Sequence, residues 1–314
     1  MPLDATARAQ RFEREHASRL RALAYRMLGA RAEAQDIVQE AWLRWSEVDE
    51  RGIEQPAAFL TRLVTNLCLD RLRSAAVQRE HYVGVWLPEP LLEADALFSW
   101  APGPEHLAEY AQDLSTAFML ALERLSPLER AAFLLHDVFD LDHGEIALHL
   151  ARSEAACRQL LSRARRNVKA SGVRRQVTRE EGERLGAAFM QAVRSRDVSG
   201  LTQLLVDDAV MLADGGGKVS ALPRPVQGGA RIARTFMAFV QMPTSRGWRL
   251  VAGWINGHPG LLVVDDHDAG RLVQTLTLAP AEQQGRIEAV YIQRNPDKLL
   301  GLGGHVTAGA AGSS

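Results

Sequence analysis

The chain has 314 residues, 46% of them hydrophobic and 24% charged, with a formal net charge of -1. That length supports two or three domains, each with its own core, and excludes a disordered or fibrous chain. Met1 to His16 holds no apolar run behind a basic start, and no stretch of about 18 apolar residues occurs, so neither secretion nor a membrane contact is expected.

The two cysteines, Cys68 and Cys157, fall on the apolar sides of helical patterns. There a free thiol acts as a small hydrophobe, so a cytoplasmic protein is expected, without disulfide, zinc, other metal or cofactor. Near-neutral total charge conceals segregation. Glu80 to Glu123 carries eight acids and no Lys or Arg, whereas Arg152 to Lys169 carries six basic residues and one acid. A basic segment of that kind suits phosphates, although a solvated face has the same composition.

In chain order, the first predicted helix runs from Phe12 to Leu28, with Leu20, Leu23, Ala24, Met27 and Leu28 on one side and Gly29 placed to end it. A second spans Ala32 to Trp45, burying Ile37, Val38, Ala41, Trp42 and Trp45. A third opens at Pro56 and continues to about Arg73 through Phe59, Leu60, Leu63, Val64, Leu67, Cys68 and Leu72. From Glu80 to Glu105 periodicity fails around Gly84, Pro88, Pro90, Pro102 and Gly103, which reads as an apolar linker.

Helices resume near Glu105 and reach about Lys169. Ser126-Pro127-Leu128-Glu129 and Asp142 with Glu145 each carry a capping pattern that satisfies orphan amides at a helix start. Ser153 is suited to cap a further helix in which Cys157, Leu160, Leu161, Ala164 and Val168 form an apolar stripe. Two short helices joined by a tight turn, the second basic outside, form a helix-turn-helix that places a recognition helix in the major groove. Glu154, Ala155, Arg158 and Gln159 would then lie at base edges, Arg163, Arg165, Arg166 and Lys169 at phosphates, and the cap Ser153 at the same DNA-facing end. The alternative is a helical hairpin with a solvated basic face.

After Gly172 one more helix, about Glu180 to Arg196, precedes strand-like runs at Arg249 to Ala252, Leu261 to Val264 and Arg286 to Ile292. This reads as a separate α+β domain. The tail from Gly301 to Ser314 is too poor in apolar residues to pack and is expected to be disordered.

Together these segments resemble the extracytoplasmic-function sigma factors over almost the whole chain. AEAQDIVQEAWLRW, Ala32 to Trp45, is similar to their region 2.2, which implies that Asp36, Gln39, Glu40 and Arg44 dock on the β′ clamp helices of core RNA polymerase. PAAFLTRLVTNLCLDRLRSA, Pro56 to Ala75, is similar to their regions 2.3 and 2.4. Arg62, Asn66, Arg71 and Arg73 leave its apolar stripe and could hold the melted minus-ten strand of promoter DNA. The helix-turn-helix resembles region 4, which reads the minus-35 element and lies on the polymerase β flap. Where this region usually has glycine after the leucine matching Leu150, the chain has Ala151; a positive φ there would cost about 1 kcal/mol.

The extended C-terminus resembles a subgroup with a fused SnoaL-like domain, an α+β cone of the nuclear-transport-factor-two-like kind. The resemblance rests on WLPEP at Trp86 to Pro90, DGGGK at Asp214 to Lys218 and NPDKL at Asn295 to Leu299. It implies domain 2 over 8–80, a linker over 81–105, domain 4 over 106–172, a regulatory domain over 178–300 and a tail over 301–314, with the fused domain as regulator.

Prolines keep WLPEPLL from being helical, so Trp86, Leu87, Leu91 and Leu92 need a partner surface. The expected contact is intramolecular: Trp86, Leu87, Pro88, Glu89 and Pro90 docking near Asp214, Gly215, Gly216 and Gly217 and near Asn295, Pro296 and Asp297, and so fixing the placement of domains 2 and 4. The plainer reading makes each motif a local turn or core plug.

Cone domains of this type include enzymes, so Asp214, His258, Asp265 and Asp266 are candidate acids or bases, and an unidentified small ligand could occupy the cavity. No catalytic residue is assigned, since a glycine-flanked aspartate and the acidic spacing from Asp265 to Asp268 more often belong to turns. A stand-alone DNA-binding regulator is the remaining alternative, which the polymerase-docking pattern of Ala32 to Trp45 disfavours.

Overall fold

Gly29 adopts φ 71° and donates its N–H to the Tyr25 carbonyl at 2.7 Å, ending the first helical run where glycine is needed for a left-handed turn. The computed structural model describes residues 2–79, 82–93, 114–170, 178–242, 247–268 and 270–302. The chain divides into one unit of Met1–His81 with Asp95–Val173 and a second of Tyr82–Ala94 with Arg174–Ser314.

In the first unit, α1 (Pro2–Phe12) passes through a π-helical segment, Glu13–Ala17, into α2 (Ser18–Leu28). Helices α3 (Arg31–Glu47) and α4 (Pro56–Arg79) complete the first core. Helix α2 packs on both α3 and α4, and Leu20, Leu23 and Met27 of α2, Ile37, Val38 and Trp45 of α3, and Leu60, Val64, Leu67 and Cys68 of α4 are all buried. Helix α4 runs past Arg73 because nothing in the following residues breaks a helix. Trp42 is only half-buried and packs on Phe12, while Phe59 keeps 36% of its surface exposed beside Trp45.

The same unit continues with α5 (Thr116–Glu123), capped by Ser115, and α6 (Pro127–Phe133), which ends in a π-helical segment, Leu134–Val138. Helices α7 (His143–Leu150) and α8 (Glu154–Ala170) follow. Both capping boxes expected from sequence are formed, Ser126 with Glu129 and Asp142 with Glu145.

The second unit opens with α9 (Arg179–Arg194) and α10 (Val198–Leu204), then β1 (Leu205–Asp214), β2 (Val226–Gln227) and α11 (Gly229–Val240). Strands β3 (Trp248–Ile255), β4 (His258–Asp265), β5 (Arg271–Pro280) and β6 (Ile287–Gln293) lead into the short α12 (Pro296–Leu299). The sheet order is β2-β1-β6-β5-β4-β3, with β1 and β6 parallel and every other pair antiparallel.

Strand β4 is buried on both faces. Leu261 and Val263 join the main core with Phe189, Ile232 and Phe236, whereas Leu262 and Val264 join a second cluster with Leu92, Leu272 and Leu299. Double burial removes the alternation that marks a half-exposed strand. The same effect conceals β5 in the sequence, and the acids Asp207 and Asp208 conceal β1. The 94–113 stretch of the expected linker and domain 4, and the tail beyond Leu302, lie outside the described residues.

Candidate nucleic-acid interface and strap clasp

Helix α7 ends at Leu150, and Ala151 takes φ 51° and ψ 52°, the left-handed conformation that turns the chain into α8. The Ser153 hydroxyl then accepts from Ala156 N at 3.3 Å. Helix α8 buries Cys157, Leu160, Leu161 and Ala164 and exposes Glu154, Ala155, Arg158, Gln159, Arg163, Arg165 and Arg166. Several of these cations are occupied within the unit. Arg158 pairs with Glu154 at 3.1 Å, Arg163 with Glu129 at 2.7 Å, and Arg165 with Asp137. Arg166 and Lys169 have no ion pair among the described residues.

On α4, Arg62, Asn66 and Arg73 are exposed and Arg71 is half-buried, while Thr61 and Thr65 point inward and donate to the Ala57 and Thr61 carbonyls at 2.7 and 2.8 Å. On α3, Asp36, Gln39 and Arg44 are exposed, and half-buried Glu40 pairs with Arg44. Leu43 shares this face with 56% of its surface exposed, an apolar residue that sequence patterning missed because it lies off the buried stripe.

The helix-turn-helix portion packs directly on the α2–α4 bundle. Arg130, only 2% exposed, donates to the Met27 carbonyl at 2.7 Å, to the Leu122 carbonyl at 2.9 Å and to Glu123 at 2.7 Å. It thereby satisfies a carbonyl in the last turn of α2 that has no partner along its own helix. His149 Nε2 lies 3.2 Å from the Ala58 carbonyl on α4.

In the second unit, residues 82–93 form an extended strap lying on the end of the sheet. Asp214, at the end of β1 and fully buried, organises the contact. Its carboxylate accepts from Tyr82 Oη at 2.6 Å, Lys298 Nζ at 2.7 Å, Leu87 N and Gly216 N at 2.9 Å, and Gln293 Nε2 at 3.3 Å.

Lys298 also donates to the Leu87 carbonyl at 2.6 Å and lies 4.5 Å from the Trp86 ring centroid, a cation–π contact. Gln293 Nε2 reaches the Pro88 carbonyl at 3.4 Å, and Asn295 Nδ2 donates to Tyr82 Oη at 3.1 Å. Burial, followed by the Asp214 carboxylate, pushes the Tyr82 phenol above its ordinary pKa.

Further along the strap, Leu91 and Asn256 exchange hydrogen bonds at 2.8 and 3.1 Å, and Leu92 bridges to Ile255. Leu87, Leu91 and Leu92 are buried; Pro88 and Pro90 are buried too, with Glu89 and Trp86 half-buried.

The glycines admit this approach. A Cβ on Gly216, at φ +60°, would lie 2.2 Å from Asn295 Nδ2, and one on Gly217 would lie 3.0 Å from Val83. Buried Gly215 closes the turn, Pro296 begins α12, and exposed Asp297 pairs with Lys218. Sequence reading missed Tyr82, Gln293, Lys298 and Asn256. Only Lys298 carried a signal, as part of NPDKL.

A cavity of about 450 Å³ opens between the sheet and α11. None of the acid-base candidates lines it. Asp214 is engaged by the strap, Asp265 ends β4, and Asp266 and Asp268 lie in the turn that follows, where Asp266 pairs with Arg249 of β3 and Asp268 with Arg271. His258 is buried, without a hydrogen-bond partner at Nδ1, and burial depresses its pKa to about 4. Among the described residues no His, Cys, Asp and Glu cluster could hold a metal, and no helix is long and apolar enough to cross a membrane.

Comparison with known proteins gives two family matches, sigma-70 region 2 over residues 13–77 and sigma-70 region 4 over residues 115–168. The chain is 38% identical to the ECF RNA polymerase sigma factor SigJ of Mycobacterium tuberculosis, across 90% of each chain. It is 30% identical to the probable sigma factor SigI of the same species, covering 91% of this chain and 93% of the relative. The crystal structure of SigJ superposes with a TM-score of 0.70 at 33% identity, covering 93% of this chain and 98% of that one.

Proposed function

The chain belongs to the extracytoplasmic-function sigma factors, which bind core RNA polymerase and direct promoter recognition and transcription initiation, and from that premise we propose that its C-terminal unit regulates initiation by holding the strap that joins its two DNA-binding parts. In this reading domain 2 spans 8–80 and domain 4 spans 106–172. Residues 178–300 form the regulatory SnoaL-like cone, and the strap, 82–93, works as part of that cone rather than as a free linker.

The observation that carries the proposal is the Asp214 carboxylate. It fixes the strap by a main-chain bond to Leu87 N and, through Lys298, by a second to the Leu87 carbonyl. Main-chain contacts hold the position of a segment whatever its flanking sequence does, which is what a regulator of domain placement requires.

The polymerase- and DNA-facing roles follow the exposed faces. Asp36, Gln39, Glu40 and Arg44, with Leu43, would dock on the β′ clamp helices, and domain 4 on the β flap. Arg62, Asn66, Arg71 and Arg73 would take the minus-ten strand, and the Ser153 to Arg166 face the minus-35 duplex. Elements centred roughly 25 base pairs apart are about 85 Å apart at 3.4 Å per base pair. Domains joined through buried Arg130 and through His149 must therefore part before both elements are read.

Run-off transcription with core polymerase tests the proposal, comparing the full chain, Trp86→Ala and a truncation after Arg175. Altered promoter output in both variants is expected. Equal activity of all three at every promoter would rule the regulation out, while loss of core binding in Asp36→Ala with Glu40→Ala tests the docking face separately.

A further inference from the structure

The cavity of the C-terminal unit has the size of a small-molecule site. Phe236, Val240, Leu250, Val263 and Leu276 make its wall apolar. Among the described lining residues Arg294 alone is ionisable, and Ser220 and Gln274 are the other polar ones. Arg294 arrives there by strand alternation at the end of β6. Gln293 and Asn295 turn to the strap, while Ile292 and Arg294 turn to the cavity.

The guanidinium is only partly satisfied. Nη1 donates to the Ser220 carbonyl, and the group lies 5.9 Å from the Trp248 ring centroid. Its Nε is buried and has no hydrogen-bond partner, and no described carboxylate pairs with it. Burial lowers its pKa, the effect expected of a cation facing an apolar chamber without a counter-ion. A buried donor in this state keeps its full desolvation cost until an acceptor arrives.

We infer that this cavity binds an amphipathic monocarboxylate, an aliphatic or aromatic acid whose body lies among Phe236, Leu250 and Leu276 and whose carboxylate pairs with Arg294. A carboxylate matches the planar edge of one guanidinium, and Gln274 supplies one further amide. A phosphate would present a second charge and more oxygens than these donors can serve. The inference concerns the face of β6 opposite the strap and does not depend on the regulatory proposal.

Calorimetric titration and thermal melting of the full chain with decanoate, decanol and decylamine test it. Decanoate should bind saturably, one molecule per chain, raise the melting temperature, and bind at least about tenfold tighter than either analogue. Arg294→Leu should weaken decanoate by a similar factor and spare decanol. Val240→Trp, which fills the cavity but keeps Arg294, should abolish decanoate binding, so the result stands even if Arg294→Leu fails to fold. Absence of decanoate binding, equal binding of all three probes, or full binding by a folded Arg294→Leu or Val240→Trp would overturn the assignment.

Discussion

The Lys298 ammonium and the Asp214 carboxylate meet at 2.7 Å where Asp214 exposes none of its side chain and Lys298 only 10%. Two residues 84 apart in sequence thus neutralise each other beneath the strap. Removing one member leaves the other charge buried, which costs about 3–5 kcal/mol. Lys298→Met should destabilise the chain by that order in urea unfolding. Adding Asp214→Asn should recover part of the loss; a strictly additive double variant would show the two groups to be uncoupled.

Gly216 lies at φ +60° with Asn295 where a methyl group would go. Gly216→Ala should lower stability by roughly 2 kcal/mol through backbone strain and displacement of Asn295. Protease sensitivity at the strap should rise with it. An unchanged melting curve would show that the turn relaxes freely.

Ala151 holds φ 51° in the turn of the helix-turn-helix. Glycine adopts this conformation without the Cβ penalty, so Ala151→Gly should stabilise the first unit by about 1 kcal/mol. A rise of a few degrees in melting temperature is the expected reading, with promoter sequence preference unaltered.

His258 is neutral in the fold, its pKa depressed by burial to about 4 from an ordinary 6.5. Between these values the unfolded chain binds the extra proton and the folded chain does not, so stability rises with pH across that window. The stabilisation is complete above pH 6.5 and is lost as pH falls toward 4, up to about 3 kcal/mol at 1.36 kcal/mol per unit. Melting temperatures from pH 4 to 7 should show this acid limb, and His258→Leu should flatten it.

Arg165 is paired with Asp137, and that pairing would compete with the phosphate contact proposed for Arg165. Asp137→Asn should raise holoenzyme affinity for minus-35 duplex by up to about fivefold, the scale of an exposed ion pair. Weaker binding in filter or anisotropy assays would mean that Asp137 instead orients Arg165 on the DNA.

The helix starts were legible because a cap is closed within one turn: Ser126 with Glu129 and Asp142 with Glu145 are each three residues apart. Apolar periodicity likewise located α2, α3 and α4. It did not reveal β5, whose burial on both faces erases alternation, and it left the salt bridges of α8 unseen because Glu129 and Asp137 precede Arg163 and Arg165 by 34 and 28 residues. The family resemblance pointed to three motifs as partners without indicating which atoms meet.

By itself the sequence determined most helices of the first unit, their caps, the exposed basic helix and membership of the sigma-factor family, all encoded in short-range spacing, but not α10 or α11 of the second unit. The tertiary structure alone decided that Asp214, Tyr82, Gln293 and Lys298 form one clasp and that Arg294 faces an apolar chamber. Buried charges are satisfied through space rather than along the chain, so their partners appear only once the sheet has brought the ends of β1 and β6 side by side.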